Sequence, residues 1–160
     1  MNIATLNRQD LVIIASHLRE WDRREIFATM ETDSAETLAD MTMQTTALGW
    51  VFGRDRQPIA AAGAFQMWPT VWCGWCFGTD RFASVGLGVT RHIRKVLFPA
   101  MLDIGLRRLE CKSMEGHVDA HRWLESLGAK REATHPHFGR DGETFHTYAW
   151  MEADVERLRR

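Results

Sequence analysis

Asp22 and Glu25 stand three residues apart, a spacing that puts both carboxylates on one face of a helix. With Trp21 beside them they could form an acidic, aromatic-edged wall for an amine substrate. With Arg19, Arg23 and Arg24 around them they equally suit a solvated charge cluster. Gly86 and Gly88 make a Gly-x-Gly step ahead of an apolar-periodic stretch. Glycines there let backbone N–H groups approach an anion, and the helix N-terminus adds partial positive charge; the alternative is a plain turn into a helix. Arg91, Arg94 and Lys95 follow and suit either phosphates or the solvent face of that helix. Cys73 and Cys76 have the Cys-x2-Cys spacing of a zinc half-site. Residues three apart on a regular strand face opposite sides, so the pair could share a metal only across a turn at Gly74-Trp75, and Cys111 and His117 could complete a site only by a coincidence of the fold. No metal is expected, and the thiols read as small buried hydrophobes. His135-Pro136-His137 and His146 could bind a metal or move protons, but no neighbouring carboxylate orients them.

The elements that must position these groups belong to a chain of 160 residues, enough for one compact domain with a real core. Hydrophobic residues make up 45% and charged residues 26%, which argues against disorder and coiled coil. Twenty Lys+Arg against 21 Asp+Glu give a net charge of -1, which excludes a general nucleic-acid binder relying on a basic surface. Nearly all the positive charge is Arg, as bidentate anion pairing or simply a GC-rich coding sequence would give. Seven Trp against one Tyr suggest a core, a ligand wall or an interface. Three Cys are too few for a disulfide framework, no apolar run is long enough for a membrane span, and the N-terminus lacks a secretion-signal layout. A cytoplasmic protein is expected.

Ile3–Leu6 reads as a first strand. Asp10 suits the N-cap of a helix carrying Leu11, Ile14, Ala15 and Leu18, which the run Arg19–Glu25 ends or joins to a second piece. Ser34 opens a second helix over Ala35–Gln44. Strands beginning at Trp50, over Ile59–Trp68 and over Val71–Gly78 form an antiparallel meander. A helix over Val89–Leu102 follows, broken or kinked at Pro99. Then come a strand (Leu106–Met114), a helix capped by Asp119 (Ala120–Leu127) that stops at Gly128, and a hairpin of Lys130–His135 with Thr144–Trp150. Residues 1–150 form a single mixed α/β (α+β) domain, and 151–160 a polar tail or frayed helix.

This order, β-αα-βββ-α-β-α-ββ, resembles the GCN5-related N-acetyltransferase (GNAT) fold, a mostly antiparallel central sheet flanked by helices. Gly78–Gly88 resembles the family's Arg/Gln-x-x-Gly-x-Gly/Ala turn, with Gly86 and Gly88 in place but Ala83 where the family carries Arg or Gln. Ala120–Ala129 resembles Ala-x-x-aromatic-Tyr-Glu-x-Leu-Gly-Phe, matched by Ala120, Trp123, Glu125, Leu127 and Gly128. Leu124 stands where many members place the Tyr that protonates the leaving thiolate, and His117 where many place a cofactor-contacting Asn. Arg19–Glu25, Trp75–Asp80 and Asp119–Gly128 continuing to Phe145-His146 also resemble small phage proteins of the podophage internal-virion group.

The GNAT resemblance implies acetyl transfer from acetyl-CoA to an amine of a small molecule or a protein. Pantetheine would run along Cys76, Phe77 and Gly78, and the pyrophosphate would sit at Val85, Gly86, Leu87, Gly88 and Val89. Asp80, the nearest carboxylate beyond that strand, Tyr148, the one phenol, and His117 are the candidate catalytic groups; Asp80 also suits a turn, and Tyr148 a core edge. Trp21, Asp22 and Glu25 would bind the amine. The phage resemblance implies an alternative: an inactive virion or host-interaction protein, in the host cytoplasm or the virion. A Trp-rich surface that inhibits a host protein is a third reading.

Overall fold

The computed structural model describes residues 1–159. A first strand, β1 (Asn2–Thr5), leads to three helices: α1 (Arg8–Ser16), α2 (Glu20–Phe27) and α3 (Ala35–Thr45). A meander follows, of β2 (Leu48–Arg54), β3 (Gln57–Trp68) and β4 (Val71–Gly78). After a 3-10 turn at Phe82–Ser84 come α4 (Gly86–His92), a π-turn (Ile93–Leu97) and α5 (Phe98–Asp103). The chain closes with β5 (Arg108–Met114), α6 (Val118–Ser126), β6 (Lys130–His135), β7 (Phe145–Met151) and α7 (Glu152–Arg159). The seven strands form one sheet in the order β1-β2-β3-β4-β5-β7-β6, antiparallel except between β4 and β5.

Several elements differ from the sequence reading for local reasons. Asn7, not Asp10, caps α1: its side chain accepts from the Asp10 N–H and donates to the Asp10 carboxylate. Of the two alternatives for the run Arg19–Glu25, the structure has the second piece: most of the run forms α2, with Glu20 and Asp22 in its first turn and Arg24 in its last, the order the helix dipole favours. The irregularity near Pro99 falls one turn earlier, where the Phe98 N–H bonds to the Ile93 carbonyl in the wider π register. Asp119 lies in the first turn of α6 rather than at its cap, which is His117. The final segment is a docked helix, α7, whose Val155 is buried in the main core.

Helices cover both faces of the sheet. On one face, Leu11 and Ile14 of α1 and Leu38 of α3 pack on Val51, Ala61 and Phe77. On the other, Val89, Leu97, Phe98 and Leu124 pack on Phe52, Ala60 and Leu109. Alanines at 60, 61, 62 and 64 keep the centre of the sheet thin enough for helices to approach closely. Gly63 is needed there, since a Cβ would lie 2.4 Å from the Leu48 carbonyl oxygen and 2.8 Å from the Trp75 ring.

Candidate active site

β4 and β5 are parallel neighbours for only three residue pairs, Val71–Arg108, Trp72–Leu109 and Cys73–Glu110. Beyond Cys73, β4 stays with β3 up to Gly78, and beyond Glu110, β5 stays with β7 up to Met114. The two strands therefore part company, and the sheet opens into a V. Facing backbone groups in such a gap need other partners.

α2 provides them at the wide end. Asp22 accepts the Gly78 N–H at 2.8 Å, and Glu25 Oε2 accepts the Met114 N–H at 2.7 Å and the Ser113 hydroxyl at 2.8 Å. The Arg19 backbone N–H donates to the Gly78 carbonyl, and Leu18 bridges Thr79, so α2 is stitched to the end of β4. Asp22 is buried and ion-paired to Arg19 at 2.8 Å. Burial nonetheless holds its carboxyl above the ordinary value, although Arg19 and the Gly78 N–H pull it down. The two acids are not a solvated cluster; they close the open end of a split sheet.

His117 completes this group. It is buried at the start of α6, with Nδ1 3.0 Å from Glu25 Oε2 and Nε2 3.8 Å from Asp22 Oδ1. Trp21 stacks on its ring, at 5.5 Å between centroids and 10° between planes. An ionised carboxylate only accepts, so the Glu25 contact puts the proton on Nδ1 and leaves the Nε2 lone pair free.

A cavity of about 380 Å³ occupies the V and reaches both faces of the sheet. On the α2 face its wall includes Arg19, Glu25, Ile26, Thr29, Lys112 and Phe138. On the other it includes Ile93, Leu97, Ala120, Trp123 and Leu124. Cys76 and Phe77 of β4 and Cys111 of β5 line it in between. Burial pushes the Cys76 thiol up to about 12 and the Cys111 thiol higher still, so both are inert hydrophobes in this wall. Strand alternation turns the N–H groups of Gly74 and Cys76 the same way as that of Gly78, into the opening.

Of the residues singled out from sequence, Asp22, Glu25, Cys76, Phe77 and His117 converge on this cavity, with Gly78 and Trp21 directly behind them. Asp80 does not: it is exposed in the turn after β4, outside the cavity wall. Tyr148 does not either, because its side chain is buried one strand behind Cys111, beside His121 at 5.3 Å, where burial raises its phenol. Val85, Gly86, Leu87, Gly88 and Val89 form the start of α4, away from the cavity wall. Val85 and Val89 face the core, Leu87 is 85% exposed, and the Met1 side chain lies over Gly88. Between this turn and the cavity stand Phe82 and Trp123, edge to face at 6.3 Å, with the Trp123 indole donating to Thr90 at 2.9 Å. Among the described residues, no group of three His, Cys, Asp or Glu could hold a metal ion.

Sequence reasoning did not single out Arg19, Lys112, Ser113 or Phe138 as site residues. Ser113 and Lys112 leave no sequence signal, since β5 shows only alternation. Arg19 shows in the sequence only as a local partner of Asp22, and Phe138 meets Lys112, which lies on a distant strand.

No protein-family model matches the chain, and no curated protein does. Solved structures do. A GNAT-family acetyltransferase from Bacillus anthracis superposes with a TM-score of 0.70 at 12% identity, covering 94% of each chain. The chain has the GNAT fold. The ribosomal-protein-S18-alanine N-acetyltransferase from Escherichia coli gives 0.65 at 19% identity, covering 94% of this chain and 92% of that one. The Salmonella typhimurium protein yncA, solved with its cofactor acetyl-CoA, gives 0.67 at 13% identity, covering 95% of this chain and 94% of that one. Among the described residues, no helix is long and apolar enough to cross a membrane.

Proposed function

We propose that the protein binds acetyl-CoA and transfers its acetyl group to an amine. The observation that carries this reading is the V between β4 and β5, a cavity that joins the two faces of the sheet with His117 and two carboxylates at its wide end. Such an opening lets a thioester approach from one face and a nucleophile from the other. The apolar wall of Ile93, Leu97 and Leu124 fits an acetyl-pantetheine arm, and Cys76, Phe77 and Gly78 would run beside it. The turn from Val85 to Val89 would hold the pyrophosphate through backbone N–H groups, and Met1 would have to leave Gly88. Bound there, acetyl-CoA supplies an activated acetyl group.

The chain's own groups do the rest. His117 Nε2 accepts the proton of the amine as nitrogen attacks the carbonyl carbon, and Glu25 and Asp22 hold the resulting imidazolium. The Cys76 N–H, turned into the gap, polarises the carbonyl oxygen. The C–N bond forms, the C–S bond breaks, and the thiolate takes its proton from solvent, because Leu124 lines the wall where related motifs carry a Tyr. Asp22 and Glu25 act as positioning residues for His117 as well as facing the amine.

The test is thermal unfolding with and without acetyl-CoA, followed by a free-thiol assay across amines. Ligand at about 100 times its dissociation constant adds about 2.7 kcal/mol, a shift of several degrees in a domain of this size. No shift and no thiol release would sink the reading. A second reading, an inactive protein of the podophage internal-virion kind, is favoured by one contact: the Trp123–Thr90 bond ties α6 to α4 across the path from the glycine turn to the cavity. Under it, acetyl-CoA leaves the melting temperature unchanged even in Trp123→Ala.

A further inference from the structure

The α2-side mouth of the cavity carries its own information about the acceptor. Two loops that are tied together edge it, the α2–α3 loop through Thr29 and the β6–β7 loop through Phe138. The β6–β7 loop is latched to the α2–α3 loop by Arg140, whose backbone N–H donates to the Ala28 carbonyl at 2.7 Å. Its guanidinium donates to the Met30 carbonyl at 3.1 Å and the Asp33 carboxylate at 2.6 Å. The loop is also closed on itself, with Phe138 and Gly139 N–H groups both bonded to the Glu143 carbonyl. On that side the tied loops stand in the way of an extended chain lying across the mouth.

Inside the rim the chemistry is divided into three. Ile26, Phe138 and Phe145 make an apolar wall, and the two phenyl rings stand 5.3 Å apart. At the bottom is Glu25, whose three hydrogen bonds all fall on Oε2, so that Oε1 remains for an incoming ammonium. On the side is Lys112, over the Phe138 ring at 5.6 Å. Among the described residues it pairs with Glu110 alone, at a long 3.5 Å, whereas Arg108 holds the same carboxylate at 2.7 Å. Lys112 has three donors and makes one weak bond, so it can take a second anion.

We propose that the acceptor is a small primary amine with an apolar body and a carboxylate, the class of apolar α-amino acids, and not a protein chain. The ammonium meets Glu25, the carboxylate meets Lys112, and the side chain packs between Phe138 and Ile26. A polyamine fits poorly, because its second cation would face Lys112. This inference rests on the acetyl-transfer reading for which face the acceptor takes, but binding alone can test it.

The experiment is calorimetric titration of the full chain, without acetyl-CoA, with L-phenylalanine, phenethylamine and a lysine-bearing tripeptide, followed by thiol-release assays with the same three. L-phenylalanine should bind at least about tenfold more tightly than phenethylamine, as the loss of one charged contact implies. The tripeptide should bind neither detectably nor serve as acceptor. Lys112→Met should abolish the preference while sparing phenethylamine, and Lys112→Glu should reverse it. Equal binding of the two amines, or a preference untouched in both variants, overturns the proposal. Turnover with the tripeptide but not the amino acid overturns it and leaves acetyl transfer standing. Selective amino-acid binding with no response to acetyl-CoA does the opposite, keeping this pocket and removing the acetyltransferase.

Discussion

Glu25 has two duties that one substitution separates. Its Oε2 ties down the end of β5 through the Met114 N–H and orients His117. Glu25→Gln keeps an acceptor oxygen for Met114 but removes the charge that holds an imidazolium. Turnover should fall about 10²-fold, the usual scale for a proton-transfer group, while the acetyl-CoA thermal shift stays as in the parent. Equal loss of both would mean a structural role only. Asp22 is different because nothing replaces it at the end of β4. Asp22→Ala strands the Gly78 N–H and leaves Arg19 without its buried partner, which should cost about 3–5 kcal/mol by chemical unfolding. Asp22→Asn should cost clearly less, since it keeps an acceptor. A cost below about 1 kcal/mol for the alanine would show that water solvates the site.

At the scale of elements, β4, β6 and the stop at Gly128 were legible because their signals are local. A run bounded by turns sets β4, and Gly128 takes a φ of +86° that a glycine tolerates. α2 was legible only as one of two alternatives, a second piece after the first helix. Its residues are mostly charged, and a charged run looks solvated until the backbone it serves is known. That backbone is Gly78, 56 positions away, and Met114, 89 away from Glu25. His117 was visible ahead of the α6 motif and as a remote zinc-ligand candidate, and Asp22 and Glu25 as an acidic wall, but nothing in the sequence joined the three. Asp80 was misplaced because nearness in sequence to β4 says nothing of which way a turn residue points. The start of α4 offers a test free of packing. Leu87 is almost wholly exposed, so Leu87→Asp should fold normally, and an acid in the first turn of a helix is mildly stabilising. If the turn binds a pyrophosphate, the same carboxylate should weaken acetyl-CoA binding by about tenfold or more, since like charges then meet. Unchanged affinity in calorimetry would move the pyrophosphate elsewhere.

For the molecule as a whole, the buried titratable groups set how it meets acid. His92, His121 and His146 are each held below the ordinary histidine value, burial being the largest cause in all three. A base depressed in the folded state takes up protons first in the unfolded chain. Stability must therefore fall as pH drops from about 6.5 through the folded values. A second group acts lower. Asp154, bonded to Lys130 and to the Met151 N–H, and Glu110, paired with Arg108 and Lys112, are held below the ordinary carboxylate values. Their stabilisation is complete above about pH 4 and is lost beneath it. Asp22 works in the opposite sense: its raised carboxyl binds a proton more readily when folded, which relieves the cost of burying its charge as pH falls. The expected melting profile is flat near pH 7–8, declines from about pH 6.5, and declines further from about pH 4. His146→Gln should make the first decline shallower, with His92 and His121 still titrating, and leave the second, because Gln still meets Thr134 without titrating. A profile flat down to pH 5 would show that these rings reach water before the chain unfolds.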